Sequence, residues 1–169
     1  MTMERIRSDR IILSDGLFDG FIYFEDGRIT DVTAAEYPVV REYDATGNYV
    51  SPGFIDIHTH GGGGHPFEGS VDEIVAGCHF HLRHGTTSIC PTISAAELTS
   101  MARSVENVRQ AMDDPRVKGT IIGAHLEGPY LSRGQAGAQC ADFITAPIQQ
   151  EYLPLLEKYA EVIDIEAVA

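Results

Sequence analysis

The stretch Phe54-Ile55-Asp56-Ile57-His58-Thr59-His60-Gly61-Gly62-Gly63-Gly64 decides how the chain folds. Phe54 to His58 is a short apolar run with one carboxylate, which reads as a buried strand that the glycines bring to a stop. Side chains two apart on a strand share a face, so His58 and His60 project together from its C-terminal end. That end is where barrels of alternating strands and helices build their active sites. Imidazoles gathered there suit zinc or iron. Taken alone, the pair could equally be two histidines hydrogen-bonded to loop backbone. The glycine run offers close backbone approach or an anion nest, or simply a flexible turn. It has neither the GxGxxG nor the Walker spacing, so it does not point to a nucleotide.

Downstream, strand and helix patterns alternate. Val71, Ile74, Val75, Cys78 and Leu82 repeat at helical spacing, and Gly85 sits where a glycine would end that helix. Thr86 to Ile93 reads as a second strand. Ser94-Ala95-Ala96-Glu97 fits a capping box, opening a helix with Leu98, Met101, Ala102, Val105, Arg109 and Met112 on one face. Lys118 to Leu126 reads as a third strand. Thr145 is a suitable N-cap for a helix carrying Ile148, Tyr152, Leu155, Leu156 and Tyr159, and Val162 to Ala169 reads as a fourth strand. Such repetition implies parallel strands joined by right-handed crossovers.

Upstream, the first fifty residues are β-rich. Ile11 to Leu13 is a candidate strand, and Val39 to Tyr43 a weaker one. Phe21 to Glu25 and Arg28 to Val32 flank Asp26-Gly27, a hairpin signal because a tight type I′ turn needs positive φ at both central residues. Pro52-Gly53 breaks the chain between this β-rich part and the strand that begins at Phe54. The expected organisation is a β segment over residues 1–50 and an α/β barrel portion over 51–169. A closed (β/α)₈ barrel takes roughly 250 residues, so residues 51–169 amount to about half of one.

The chain of 169 residues carries a net charge of −13, which argues against nucleic acid and anionic membranes as partners. Hydrophobic residues make up 43% and charged residues 22%, the balance of a folded domain. Cys78, Cys90 and Cys140 show no CxxC spacing and read as free thiols of a reducing compartment. Residues 1–10 contain no apolar signal core, and no run approaches the ~18 apolar residues of a membrane span. The cytoplasm is the expected location.

A second chemical motif is His125-Leu126-Glu127-Gly128-Pro129. Here the same alternation puts His125 and Glu127 on one face at a strand end, and Gly-Pro turns the chain out of the sheet. A carboxylate there can be a metal ligand, a general base, an ion-pair partner or a solvated turn residue. His79, His81 and His84 lie on a helix without HExxH spacing and read as surface or helix-end residues. His65 stays ambiguous. Ser51 and Ser88 have no visible triad partners.

Three segments together resemble the N-acetylglucosamine-6-phosphate deacetylases of the amidohydrolase superfamily. They are Ser51 to Gly62, then His84-Gly85-Thr86-Thr87-Ser88 with Pro91-Thr92-Ile93, then Gly123 to Ser132 with Gly137-Ala138-Gln139. The first is shared across the superfamily, while the third is much more specific to the deacetylases. The resemblance implies an N-terminal β-sandwich segment followed by the first part of a TIM barrel. It implies hydrolysis of N-acetylglucosamine 6-phosphate to glucosamine 6-phosphate and acetate. Glu127 would be the main metal ligand, with His58 and His60 holding the same or a second ion. Ala138 and Gln139 would contact the sugar. The implied cofactor is one or two divalent ions, zinc first and iron as the alternative. The family's further histidine ligands and its general-base aspartate fall on later strands, expected beyond residue 169. On that reading the 169 residues alone have little activity, and the chain is a homo-oligomer or requires the other half of the barrel. Alternatives are a dihydroorotase-like or aminoacylase-like hydrolase, or a non-catalytic sugar-phosphate-binding remnant.

Overall fold

The computed structural model describes residues 2–167. The chain divides into two compact units, Met1–Pro52 and Gly53–Ala169.

The first unit is a sheet of five strands. β1 (Glu4–Leu13), β2 (Gly16–Glu25) and β3 (Arg28–Thr33) form an antiparallel meander, and β4 (Arg41–Asp44) and β5 (Tyr49–Val50) both pair with β1 in parallel. The expected hairpin is present, with Asp26 at φ 50° and Gly27 at φ 74°, the two positive values a type I′ turn requires. β1 starts at Glu4 and not at Ile11, the start expected from its apolar run. Arg5 and Arg7 hide that strand from a hydrophobicity reading. Arg5 is nevertheless buried, because its guanidinium meets Glu36 at 2.9 Å, the carbonyl of Tyr37 at 3.2 Å and also Glu42.

The second unit is built on a parallel sheet in the order β11-β10-β9-β6, made of β6 (Phe54–Thr59), β9 (Thr86–Ser94), β10 (Ala124–Glu127) and β11 (Ile163–Ala167). Helices α1 (Val71–Leu82), α2 (Leu98–Met112) and α3 (Gln149–Lys158) supply the crossovers. Ile74, Val75 and Cys78 of α1 and Met101, Val105 and Val108 of α2 close over Ile89, Ile93 and Leu126 of the sheet. Each large apolar side chain among them, fully buried, contributes about 1.5–3 kcal/mol. Among the described residues no helix is long and apolar enough to cross a membrane.

Several local expectations are corrected. The glycine run is not a plain turn: Gly61–Gly62 (β7) pairs antiparallel with His65–Pro66 (β8) in a miniature hairpin. Gly61 has φ 143°, and a Cβ there would lie 2.3 Å from the carbonyl oxygen of His65, so the close pairing needs glycine. The capping box belongs to α1, where Ser70 and Glu73 cap each other, and not to Ser94. Ser94 is the last residue of β9, and α2 starts after Glu97 with no side-chain cap. The buried face of α2 is Met101, Ser104, Val105, Val108 and Ala111, which leaves Arg109 outside it, paired with Glu106 at 2.7 Å.

The third strand is much shorter than Lys118 to Leu126. Ile121 makes one isolated bridge to Ile89, and regular pairing resumes only after Gly123. α3 begins at Gln149 and not beside Thr145. Ala146 precedes Pro147, which disfavours the helical conformation a start there would need. Thr145 instead donates its backbone N–H to the carbonyl of Pro129 at 3.1 Å. The fourth strand runs Ile163–Ala167, and the last two residues of the expected range lie outside the described ones.

Candidate metal centre

The site sits at the C-terminal ends of the parallel strands. β6 ends at Thr59, whose backbone N–H donates to Thr92 Oγ1 of β9 at 2.9 Å. That contact ties the end of β6 to β9, and alternation along the strand puts His58 and His60 on one face. β10 lies on the far side of β9 from β6, and its last residue is Glu127. Parallel pairing matches Glu127 with Ser94 and Thr59 with Pro91, so the three strand ends meet at one rim.

His58, His60 and Glu127 converge there, each offering one ligand atom within 4.8 Å of the others. His58 Nε2 is 3.3 Å from Glu127 Oε2, and His60 Nε2 is 3.0 Å from the same oxygen. Two donors of a tetrahedral zinc ion sit about 3.3 Å apart when each is about 2.0–2.1 Å from the metal. Glu127 Oε2 is shielded from solvent and receives no properly directed hydrogen bond, despite the two nearby nitrogens. The contacts are close, yet no N–H points along them. A shielded carboxylate oxygen beside two imidazole nitrogens suits a shared cation, which can accept a lone pair from all three. The donor set of two nitrogens and one oxygen fits zinc or iron.

His125 is a neighbour that strand alternation places on this face without giving it a role. Its ring lies edge-on to His58, with centroids 4.8 Å apart. It is buried; its Nδ1 is 3.4 Å from Thr92 Oγ1, and its Nε2 has no partner among the described residues. Burial, reinforced by His58, pushes its pKa below the usual histidine value, so the neutral ring is favoured.

Other candidates fall elsewhere. His79 donates to the carbonyl of Arg116 at 3.1 Å, His81 to that of Gly61 at 3.0 Å and His84 to that of Phe80 at 2.7 Å. None of them joins the cluster, and His65 is exposed on β8. Ala138 is exposed, while Gln139 is half-buried and accepts the backbone N–H of Ala95 at 2.9 Å. Gln139 thereby ties its loop to the end of β9 beside the cluster. Two residues with no chemical signal in the sequence also reach the site: Glu68, before α1, and Ser94. Ser94 Oγ is 3.0 Å from His60 Nδ1 and 2.8 Å from Glu68 Oε1. Glu68 belongs to no motif, and the spacing of Ser94 to Glu97 points to a helix cap instead.

The chain is similar in sequence and fold to known N-acetylglucosamine-6-phosphate deacetylases. The N-acetylglucosamine-6-phosphate deacetylase of Bos taurus is 31% identical over 137 residues, covering 79% of this chain and 30% of that protein. The human protein of the same name is 28% identical over 167 residues, covering 96% of this chain and 37% of its own length. A variant of the Mycobacterium smegmatis enzyme, solved with N-acetyl-D-glucosamine-6-phosphate, superposes with a TM-score of 0.86 at 27% identity, covering all of this chain and 44% of that one. The chain thus spans about a third of the curated relatives it matches. The model of the amidohydrolase family matches residues 49–168, nearly all of the α/β unit and its strand-end cluster, and the chain belongs to that family.

Proposed function

We propose that this chain is the metal-binding N-terminal part of a hydrolase that deacetylates N-acetylglucosamine 6-phosphate. The products are glucosamine 6-phosphate and acetate, a step of amino-sugar breakdown. The observation that carries this reading is the convergence of His58, His60 and Glu127, with Glu127 Oε2 shielded and lacking a hydrogen-bond donor.

His58, His60 and Glu127 would hold the divalent ion, zinc first. Such an ion supplies Lewis-acid polarisation of the amide carbonyl and makes water nucleophilic near neutral pH. Glu127 brings the negative charge that retains the cation, and the two imidazoles orient it. Gln139 spends its amide oxygen on Ala95, which leaves its amide nitrogen to donate to a sugar oxygen. Ala138 beside it presents a small surface against which the sugar can lie. Three unpaired thiols support a reducing, cytoplasmic setting.

The test is metal binding followed by a substrate panel. The purified chain should hold stoichiometric zinc or iron, and Glu127→Ala should release it. A chain that binds neither metal, or binds equally after Glu127→Ala, removes the basis of the proposal. Joined to residues that complete the barrel, the protein should prefer N-acetylglucosamine 6-phosphate over dihydroorotate and acylated amino acids. Preference for either of the others would reassign the substrate.

A further inference from the structure

The second nitrogen of His60 has a partner that the metal reading does not use. Nε2 faces Glu127, whereas Nδ1 lies 3.0 Å from Ser94 Oγ. The hydroxyl of Ser94 donates to Glu68 Oε1 at 2.8 Å, and the backbone N–H of Ser94 donates to the same oxygen at 3.1 Å. A hydroxyl has one hydrogen, and here Glu68 takes it. Toward His60, Ser94 Oγ can therefore only accept. Nδ1 must then carry the ring hydrogen, and in a neutral imidazole that leaves Nε2 with a free lone pair on the side of Glu127.

We propose that Glu68 is a positioning residue which, through the Ser94 hydroxyl, holds His60 in the Nδ1–H form that makes Nε2 a metal ligand. Glu68 acts through Ser94 because its own carboxylate is 3.8 Å from Nδ1, too far for a hydrogen bond. The segment that carries Glu68 is anchored by α2: Ser104 Oγ donates to the carbonyl of Glu68 at 3.4 Å, and Asn107 donates to that of Gly69 at 2.9 Å. The chain Glu68–Ser94–His60 thus links the loop before α1, the end of β9 and the end of β6. Outer partners of this kind orient a ligating ring and raise its basicity.

The inference rests on the metal reading above, so its test has a readout that needs no metal. Histidine ¹⁵N shifts in the metal-free chain should show His60 protonated at Nδ1. Ser94→Ala and Glu68→Ala should each shift it toward Nε2–H, and Ser94→Thr should keep the original pattern. Zinc affinity, measured against a competing chelator, should fall about 10- to 100-fold in the two alanine variants and be restored in Ser94→Thr. An Nε2–H ring in the unsubstituted chain, or unchanged affinity in both alanine variants, overturns the proposal. Should Glu68→Ala fail to fold, the tautomer of the unsubstituted chain and the Ser94 pair still decide it. If the unsubstituted chain shows the Nδ1–H ring yet binds no zinc, the metal reading fails while the hydrogen-bond chain stands.

Discussion

Cys78 and Cys140 show how far burial alone can separate two copies of one side chain. Cys78 is buried in the core, which pushes its pKa up to about 12, and Cys140 is exposed. Cys90 is also buried, and burial, with the Asp164 and Asp56 carboxylates, raises its pKa as well. Thiolate is the reactive form, so a thiol reagent at about pH 8 should modify one cysteine quickly and two only on unfolding. Cys140→Ser should abolish the fast phase; two or three fast thiols in the folded chain would contradict this placement. The residues of the candidate centre divide the same way between what chemistry and what position reveal. His58, His60 and Glu127 announce themselves by residue type and by alternation at strand ends. Glu68 has the right chemistry too, but only the loop before α1 aims it at Ser94.

At the scale of elements, capping assigns α1 and α2 different sources of stability. α1 begins with a reciprocal Ser70–Glu73 box and acidic residues in its first turn, which suit the helix dipole. α2 begins at Glu97 with no side-chain cap and is held by its buried face. Ser70→Ala should therefore cost about 0.5–2 kcal/mol in urea unfolding, with a smaller effect for Glu97→Ala. An equal or larger loss at Glu97 would contradict the assignment.

Arg116 joins the two crossovers electrostatically. Its guanidinium meets Asp114 at 2.7 Å and Asp72, in the first turn of α1, at 2.8 Å. The hydrogen bond from the Arg116 side chain, with help from its backbone N–H, lowers the Asp114 pKa from 3.8 to about 2. A carboxylate whose folded pKa is depressed stabilises the fold above its unfolded pKa and loses that contribution as pH falls through the folded one. The stability difference between the unsubstituted chain and Arg116→Gln should thus be full above about pH 4 and shrink toward pH 2. A difference that grows in that window would reverse the sign.

For the whole molecule, the decisive feature is the parallel sheet, whose outer strands among the described residues are β6 and β11. β6 borders it on one side, and Phe54, Ile55 and Ile57 are 68%, 67% and 55% exposed, so it is not the buried strand its apolar run suggests. Apolar side chains on an unpaired edge favour association, and a lysine there opposes it. The chain should self-associate with rising concentration in light scattering, and Ile55→Lys should weaken that association. A monomer at every concentration would show that β6 needs no partner. The partner expected on β6 is a second copy or the strands that complete the barrel.

By itself, the sequence determined the alternation of strands and helices, the Asp26-Gly27 hairpin and the residue types of the centre. These depend on periodicity, turn chemistry and side-chain alternation, all of which act over a few neighbouring residues. The tertiary structure decided the rest. Arg5 shows why β1 is half hidden: a charged residue reads as surface until Glu36 and Glu42 come from more than thirty positions away to bury it. Ser94 shows the same for the site. Its spacing to Glu97 imitates a helix cap, and only strand pairing across β6, β9 and β10 sets it between His60 and Glu68. Hydrogen bonds between distant segments depend on where the chain returns in space, and a local pattern carries no record of that.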